Sequence, residues 1–139
     1  AHVDGVPLDM SFSGLKTAVV NLAHNAQQKG EPLDEPALAR DFTQAVSDEL
    51  TERAALALEQ TGRTVLVAAG GVAANSIIRA NLQRLCEKRG VKLYLPPLKW
   101  CGDNGAMIGA QGYYEYMAGV RGNMTLNGYA TMELDAVRF

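Results

Sequence analysis

The sequence predicts an α/β fold, a parallel-rich sheet flanked by helices. Three observations predict it. Thr64-Val65-Leu66-Val67-Ala68-Ala69 is apolar on both faces, as a central strand of a parallel sheet should be. Stretches with helical spacing of apolar residues lie on either side of it. The order helix, strand, helix, strand, helix then calls for right-handed crossovers, which lay the strands parallel.

The elements follow in order. Residues 8–13 alternate like a short strand. Ser13 is the natural N-cap of a helix over about 14–28, and Lys29-Gly30-Glu31-Pro32 breaks it. Asp34 caps a second helix, with Glu35 and Pro36 tolerated in its first turn. Its apolar seam is Leu38, Phe42, Ala45, Val46, Leu50, Ala54, Ala57 and Leu58, and Gly62 stops it. After the apolar strand, Gly70-Gly71 turn the chain into a helix over 75–89 that ends on Gly90. Residues 91–95 form a strand closed by Pro96-Pro97. Residues 103–118 form a last helix, closed by Gly119. The stretch 121–139 has no clear period and reads as a loop or an edge strand. There is no internal repeat. Strands are few for a free-standing α/β domain, so residues 1–139 read as a single domain, one lobe of something larger.

Composition narrows the class. The chain has 139 residues, 47 % apolar and 20 % charged, which fits one folded, soluble domain and argues against disorder. The net charge of −2 advertises no nucleic-acid surface. Arg79, Arg84, Lys88, Arg89 and Lys92 read as the solvated face of one helix. No apolar run approaches the roughly 20 residues that span a bilayer. The start lacks the layout of a signal peptide. Cys86 and Cys101 are too few for a disulfide framework or a zinc site, so a cytoplasmic, reducing setting is expected.

Three segments carry residues with chemistry. Glycines at 70 and 71 let backbone amides approach a ligand, and the following helix adds its positive end. Asn75 can cap that helix, or turn its amide to a ribose hydroxyl or a nucleobase. Asp103 can cap the last helix or ligate a metal, and Asn104 can hydrogen-bond a substrate carbonyl. Ser11-Phe12-Ser13-Gly14-Leu15-Lys16-Thr17 places Ser13 and Lys16 at another strand-to-helix turn, without the spacing of a phosphate-binding P-loop. His2 and His24 have no ligand-like spacing. Cys101 reads as a bystander, and Tyr113, Tyr114, Tyr116 and Met117 read as packing residues of the last helix.

Four of these motifs stand in one order. They are Ser11-Phe12-Ser13-Gly14-Leu15-Lys16-Thr17, Ala69-Gly70-Gly71-Val72-Ala73-Ala74-Asn75, Leu95-Pro96-Pro97 and Asp103-Asn104-Gly105-Ala106-Met107-Ile108. Together they resemble the carboxyl-terminal portion of the TsaD family, the tRNA N6-adenosine threonylcarbamoyltransferases, older label glycoprotease or O-sialoglycoprotein endopeptidase. The resemblance implies a partial actin-like ATPase (ribonuclease H-like) lobe, the carboxyl-terminal one of two, with the amino-terminal lobe absent. It implies transfer of threonylcarbamoyl from threonylcarbamoyl-adenylate to N6 of the adenosine beside the tRNA anticodon, with AMP leaving. By motif, Gly70 and Gly71 would line the nucleotide, Asn75 would contact the adenylate, and Asp103 would ligate one divalent metal, iron or zinc. The family's other metal ligands come from an HxxxH pair in the other lobe, and this chain has no HxxxH. A lobe without them is expected to be inactive alone and to hold metal weakly or not at all. Position 102 is Gly where many members carry Thr. The implied partners are tRNA and, in bacteria, a catalytically silent paralogue and a P-loop ATPase. An exposed inter-lobe face would also favour a homo-oligomer.

Two other readings remain open at this level. One is the nucleotide-binding lobe of an actin-like kinase or ATPase, since a Gly-Gly turn facing adenosine is common to that fold. The other is a non-catalytic assembly module. A protease is disfavoured: the chain has no HExxH, and no serine or cysteine has an evident base.

Overall fold

Four α-helices, two short strands and two 3₁₀ turns make up the structure, a computed structural model that describes residues 8–128 and 130–131. The chain divides into two compact units, Ala1–Cys101 and Gly102–Phe139. The first holds α1 (Ser13–Lys29), α2 (Glu35–Thr61), β1 (Val65–Val67), a 3₁₀ turn (Gly71–Ala74), α3 (Ser76–Arg89), β2 (Lys92–Tyr94) and a second 3₁₀ turn (Leu98–Trp100). The second holds α4 (Gly105–Met117).

Capping sets the helix boundaries. Asp34 Oδ1 accepts the Ala37 amide at 3.0 Å, so α2 starts where the sequence places it. Gly62 and Gly90 end α2 and α3 in the left-handed conformation. Two expected caps move by one residue. Ser13 lies inside α1, and Phe12 takes the cap position with no side-chain bond. The reason is that the Ser13 hydroxyl pairs with Ser11 Oγ at 2.9 Å instead of with the helix. At α4 the cap is Asn104 and not Asp103: Asn104 Oδ1 accepts the Met107 amide at 3.0 Å.

β1 and β2 pair in parallel, with Val65 opposite Lys92, Leu66 opposite Leu93 and Val67 opposite Tyr94. The Lys92 amide bonds Thr64 O at 2.9 Å and the Ala68 amide bonds Tyr94 O at 3.1 Å, one step beyond each end. The expectation of a central strand covered on both faces fails among the described residues. β1 has one neighbour, Leu66 is half-buried, and Val65 and Val67 are 47 % and 66 % exposed. Among the described residues β2 is the only partner of β1 in the sheet. The strand expected over 8–13 reduces to a single bridge at Met10. Residues 121–128 form no strand, while Tyr129 and residues 132–139 of the tail, like His2, lie outside the described residues.

The core lies where α3 packs on α2 and on the sheet. Leu58, Ala73, Ile78, Leu82 and Cys86 are buried there. Ser47 and Asn81 are buried with them, and Asn81 Nδ2 donates to Ser47 Oγ at 2.7 Å. That bond satisfies two polar groups shut off from water, which would otherwise destabilise the α2–α3 contact. Arg53 is buried beside Glu49, paired at 2.9 Å one helical turn away. The same core holds the start of α3 and the turn that precedes it.

Candidate functional site

The chain leaves β1 at Val67 and must reverse within a few residues to start α3 back along the sheet. Gly70 makes this reversal at φ 91° and ψ 171°, a conformation closed to residues with a Cβ. The turn closes on itself: the Ala73 amide bonds Gly70 O, and the Asn75 amide bonds Val72 O, both at 3.0 Å. The amides of Gly70, Gly71 and Val72 have no acceptor among the described residues. Both glycines are exposed, and a Cβ built on either would meet nothing within 4 Å. The turn thus offers open backbone donors at the carboxyl edge of the sheet. α3 adds about half a positive charge from its dipole.

Asn75 ends the turn and caps α3. Its Oδ1 accepts the amides of Ile77 at 3.0 Å and Ile78 at 3.2 Å. Capping therefore occupies the oxygen and leaves the Nδ2 group able to donate. Of the two roles open at the sequence level, the structure assigns the first and leaves room for the second.

Arg79 corrects the reading of a solvated basic face. Its guanidinium folds back along α3. Nη1 donates to Ala73 O at 2.8 Å and Nη2 to Pro96 O at 3.0 Å, with Nη1 also 3.7 Å from Cys101 Sγ. Arg84 likewise turns to Asn81 Oδ1, and Arg89 sits 3.8 Å from Glu59, while Lys88 and Lys92 are exposed. A signal for Arg79 existed. It lies one turn after Asn75, and long helical side chains lean toward the N-terminus, here the Gly-Gly turn.

Asp103 is exposed, and its carboxylate makes no hydrogen bond or ion pair among the described residues. Asn104 is engaged at both ends, Oδ1 at the Met107 amide and Nδ2 donating to Gly102 O at 2.9 Å. The described residues contain no group of three His, Cys, Asp or Glu side chains able to hold a metal. The residues here thus do not make a metal centre by themselves. Asp103 is a single candidate ligand, and one carboxylate does not fix a transition metal.

The structure brings Gly70, Gly71 and Asn75 together in one turn. It does not join Ser13 or Lys16 to them: both sit exposed at the start of α1, and no hydrogen bond links them to the turn among the described residues. Asp103 and Asn104 belong to the second unit. Cys101 is buried with its thiol toward the carbonyls of Pro96 and Pro97, as befits a packing residue. Burial pushes the Cys86 thiol up from its ordinary range. His24 is exposed on α1. Tyr113, Tyr114, Tyr116 and Met117, expected to pack, are 60 to 70 % exposed, because α4 buries no residue.

Comparison with known proteins decides the family. The TsaD family, described as tRNA N6-adenosine threonylcarbamoyltransferase, matches residues 2–110. The chain belongs to this family. Relatives that carry the same description include one from Staphylococcus saprophyticus, 45 % identical over 127 residues, and one from Ligilactobacillus salivarius, 47 % identical over 128. Each alignment covers 91 % of this chain and 37 % of the relative. A third, from Lactobacillus delbrueckii subsp. bulgaricus, is 43 % identical over 136 residues, 96 % of this chain and 39 % of the relative. The chain thus spans somewhat over a third of the TsaD proteins it matches. The match covers the Gly70–Asn75 turn, Arg79 and Asp103 alike. Among the described residues no helix is long and apolar enough to cross a membrane.

Proposed function

We propose that this chain is the carboxyl-terminal lobe of a cytoplasmic tRNA threonylcarbamoyltransferase and does not turn over alone. In the reaction, the N6 amine of the adenosine beside the anticodon attacks the threonylcarbamoyl carbonyl carbon. A C–N bond forms, the C–O bond to the phosphate breaks, the amine loses its proton, and AMP departs. The free amides at Gly70, Gly71 and Val72 and the positive end of α3 hold the phosphate of the adenylate, which stabilises the charge on the leaving group. Asn75 Nδ2 donates to the ribose or the base. Asp103 would supply one carboxylate ligand to an iron or zinc ion, whose remaining ligands would have to come from beyond the described residues. The partners are tRNA, threonylcarbamoyl-adenylate or AMP, a paralogue and a P-loop ATPase.

The observation that carries the reading is the family match over residues 2–110. The geometry supports it in one further respect: α4 is capped by Asn104, so the Asp103 carboxylate has no structural task among the described residues. Relatives named as transferases favour this reading over a kinase lobe or a bare assembly module.

The test joins this chain to the amino-terminal portion of the Staphylococcus saprophyticus relative, in place of the matching segment. The chimera should form threonylcarbamoyladenosine on tRNA, read by mass spectrometry of digested nucleosides, and the chain alone should form none. A folded chimera that binds tRNA yet makes no product would overturn the assignment. Turnover by the chain alone would overturn its incompleteness.

A further inference from the structure

Arg79 is the one side chain whose described hydrogen bonds tie the Gly70–Asn75 turn to the segment that leads toward Asp103. One guanidinium nitrogen holds Ala73 O inside the turn, and the other holds Pro96 O. Pro96 starts the Pro96-Pro97 stretch, which continues through the 3₁₀ turn Leu98–Trp100 to Cys101. Within that stretch the Trp100 amide bonds Pro97 O at 2.9 Å and the Cys101 amide bonds Leu98 O at 3.2 Å. The stretch is therefore internally braced, and Arg79 fixes where it starts.

We infer that Arg79 is a positioning residue: it holds the nucleotide-facing turn and the Pro96–Cys101 segment at a fixed spacing, so that ligand binding at the turn is felt at Trp100. The inference rests on the reading of the turn as an adenylate site. The chemistry favours arginine. A guanidinium is planar and carries donors on separate nitrogens, so it can serve two carbonyls that face it from different segments. Both acceptors are backbone carbonyls without a formal charge, so the guanidinium keeps its positive charge close to the turn. That charge adds to the α3 dipole in favouring an anionic ligand. A lysine ammonium is compact and rotates freely, so it can hold one carbonyl or the other but fixes no angle between them. The clamp also accounts for Cys101, whose thiol fills the space between Arg79 and the prolyl carbonyls.

Trp100 makes the idea measurable, because it is the chain's single tryptophan and is 44 % exposed. The experiment titrates AMP into the whole chain and follows Trp100 emission, with calorimetry as an independent measure of binding. It compares the native chain, Arg79→Lys and Arg79→Met, each melted first by circular dichroism. In the native chain AMP should bind and change the Trp100 emission. Arg79→Lys keeps the positive charge near the turn but can hold only one of the two carbonyls, so it should still bind AMP and lose the Trp100 response. Millimolar methylguanidinium should restore part of the response to Arg79→Met, which a general packing role would not allow. If AMP binds all three equally with the same Trp100 response, the positioning role is refuted while the adenylate site stands. If AMP fails to bind the native chain by either method, the adenylate reading itself falls, and the role of Arg79 with it.

Discussion

Asn75 separates capping from ligand contact in a single side chain. Its Oδ1 accepts two amides of α3, at 3.0 and 3.2 Å, while its Nδ2 group is left to donate. Asn75→Ala removes both functions. Loss of an N-cap costs about 0.5–2 kcal/mol. In a unit of this size each kcal/mol is worth about 4–8 °C in melting temperature, so the alanine variant should melt several degrees lower. Asn75→Asp keeps an oxygen at the same place and adds a negative charge at the positive end of α3, worth about 0.3–1 kcal/mol in its favour. Its melting temperature should match or exceed the native one. The aspartate cannot donate, however, and repels a phosphate, so its AMP affinity should fall tenfold or more, judged from the roughly 1–3 kcal/mol attached to an unmade hydrogen bond. Thermal melts by circular dichroism and AMP titration by calorimetry read the two effects apart. An aspartate variant that binds AMP like the native chain would reduce Asn75 to a cap. An aspartate variant as unstable as the alanine one would refute the cap.

The remaining expectations are shorter. Asp103→Ala in the chimera should abolish threonylcarbamoyl transfer with little change in melting, whereas Asn104→Ala should fray α4 by about 0.5–2 kcal/mol; amide exchange at Met107 distinguishes the two, and a silent Asp103 variant would remove it from the site. Gly70→Ala should destabilise the first unit by about 1–3 kcal/mol through backbone strain alone, since a Cβ there meets nothing within 4 Å; a neutral effect in a denaturant melt would count against the turn's geometry. The Cys86 thiol is held protonated by burial, so its folded pKa lies above the unfolded one. The unfolded chain then releases this proton first, and under reducing conditions stability should fall from about pH 8.5 upward, where free thiols begin to ionise; Cys86→Ala should flatten that part of the profile. The exposed apolar side chains of β1 and α4 should drive self-association, which sedimentation at rising concentration would show, and a monomer throughout would exclude it.

Most helix boundaries were legible because they depend on local chemistry. Asp34, Gly62 and Gly90 act within their own turn, and they sit where the sequence puts them. The two misplaced caps show the limit of that rule. At positions 103–104 two polar residues compete for one role and backbone conformation decides between them, whereas at 11–13 the two serines pair with each other and Phe12 holds the cap position. Ser11 draws Ser13 away, and the extended backbone of Asn104 selects it over Asp103. The Gly70–Asn75 turn was readable from its glycines, because a positive φ at Gly70 is what such a residue is for. The clamp by Arg79 is not legible in the sequence, since it depends on a carbonyl at Pro96, 17 positions away. Spacing along one helix predicts the direction of a side chain, but not what another segment brings to meet it.

The exposed strand is the most instructive disagreement. Val65, Leu66 and Val67 form an uninterrupted apolar run, the pattern of a strand covered on both faces. The structure covers one face, and Val65, Val67 and Tyr94 stand between 47 and 66 % exposed on the other strand positions. In the second unit α4 carries Met107, Ile108 and Met117, all 46 % exposed or more, and buries none of them. Scattered apolar residues on a surface are ordinary, but an apolar strand position and an apolar helix with no buried residue are harder to reconcile with water as the final neighbour. The chain matches somewhat over a third of the length of its relatives. A pattern written for a two-sided environment, met by described residues that cover one side, parallels the Asp103 carboxylate, which has no partner among the described residues. Both are residues whose type fits a neighbour the described residues do not provide.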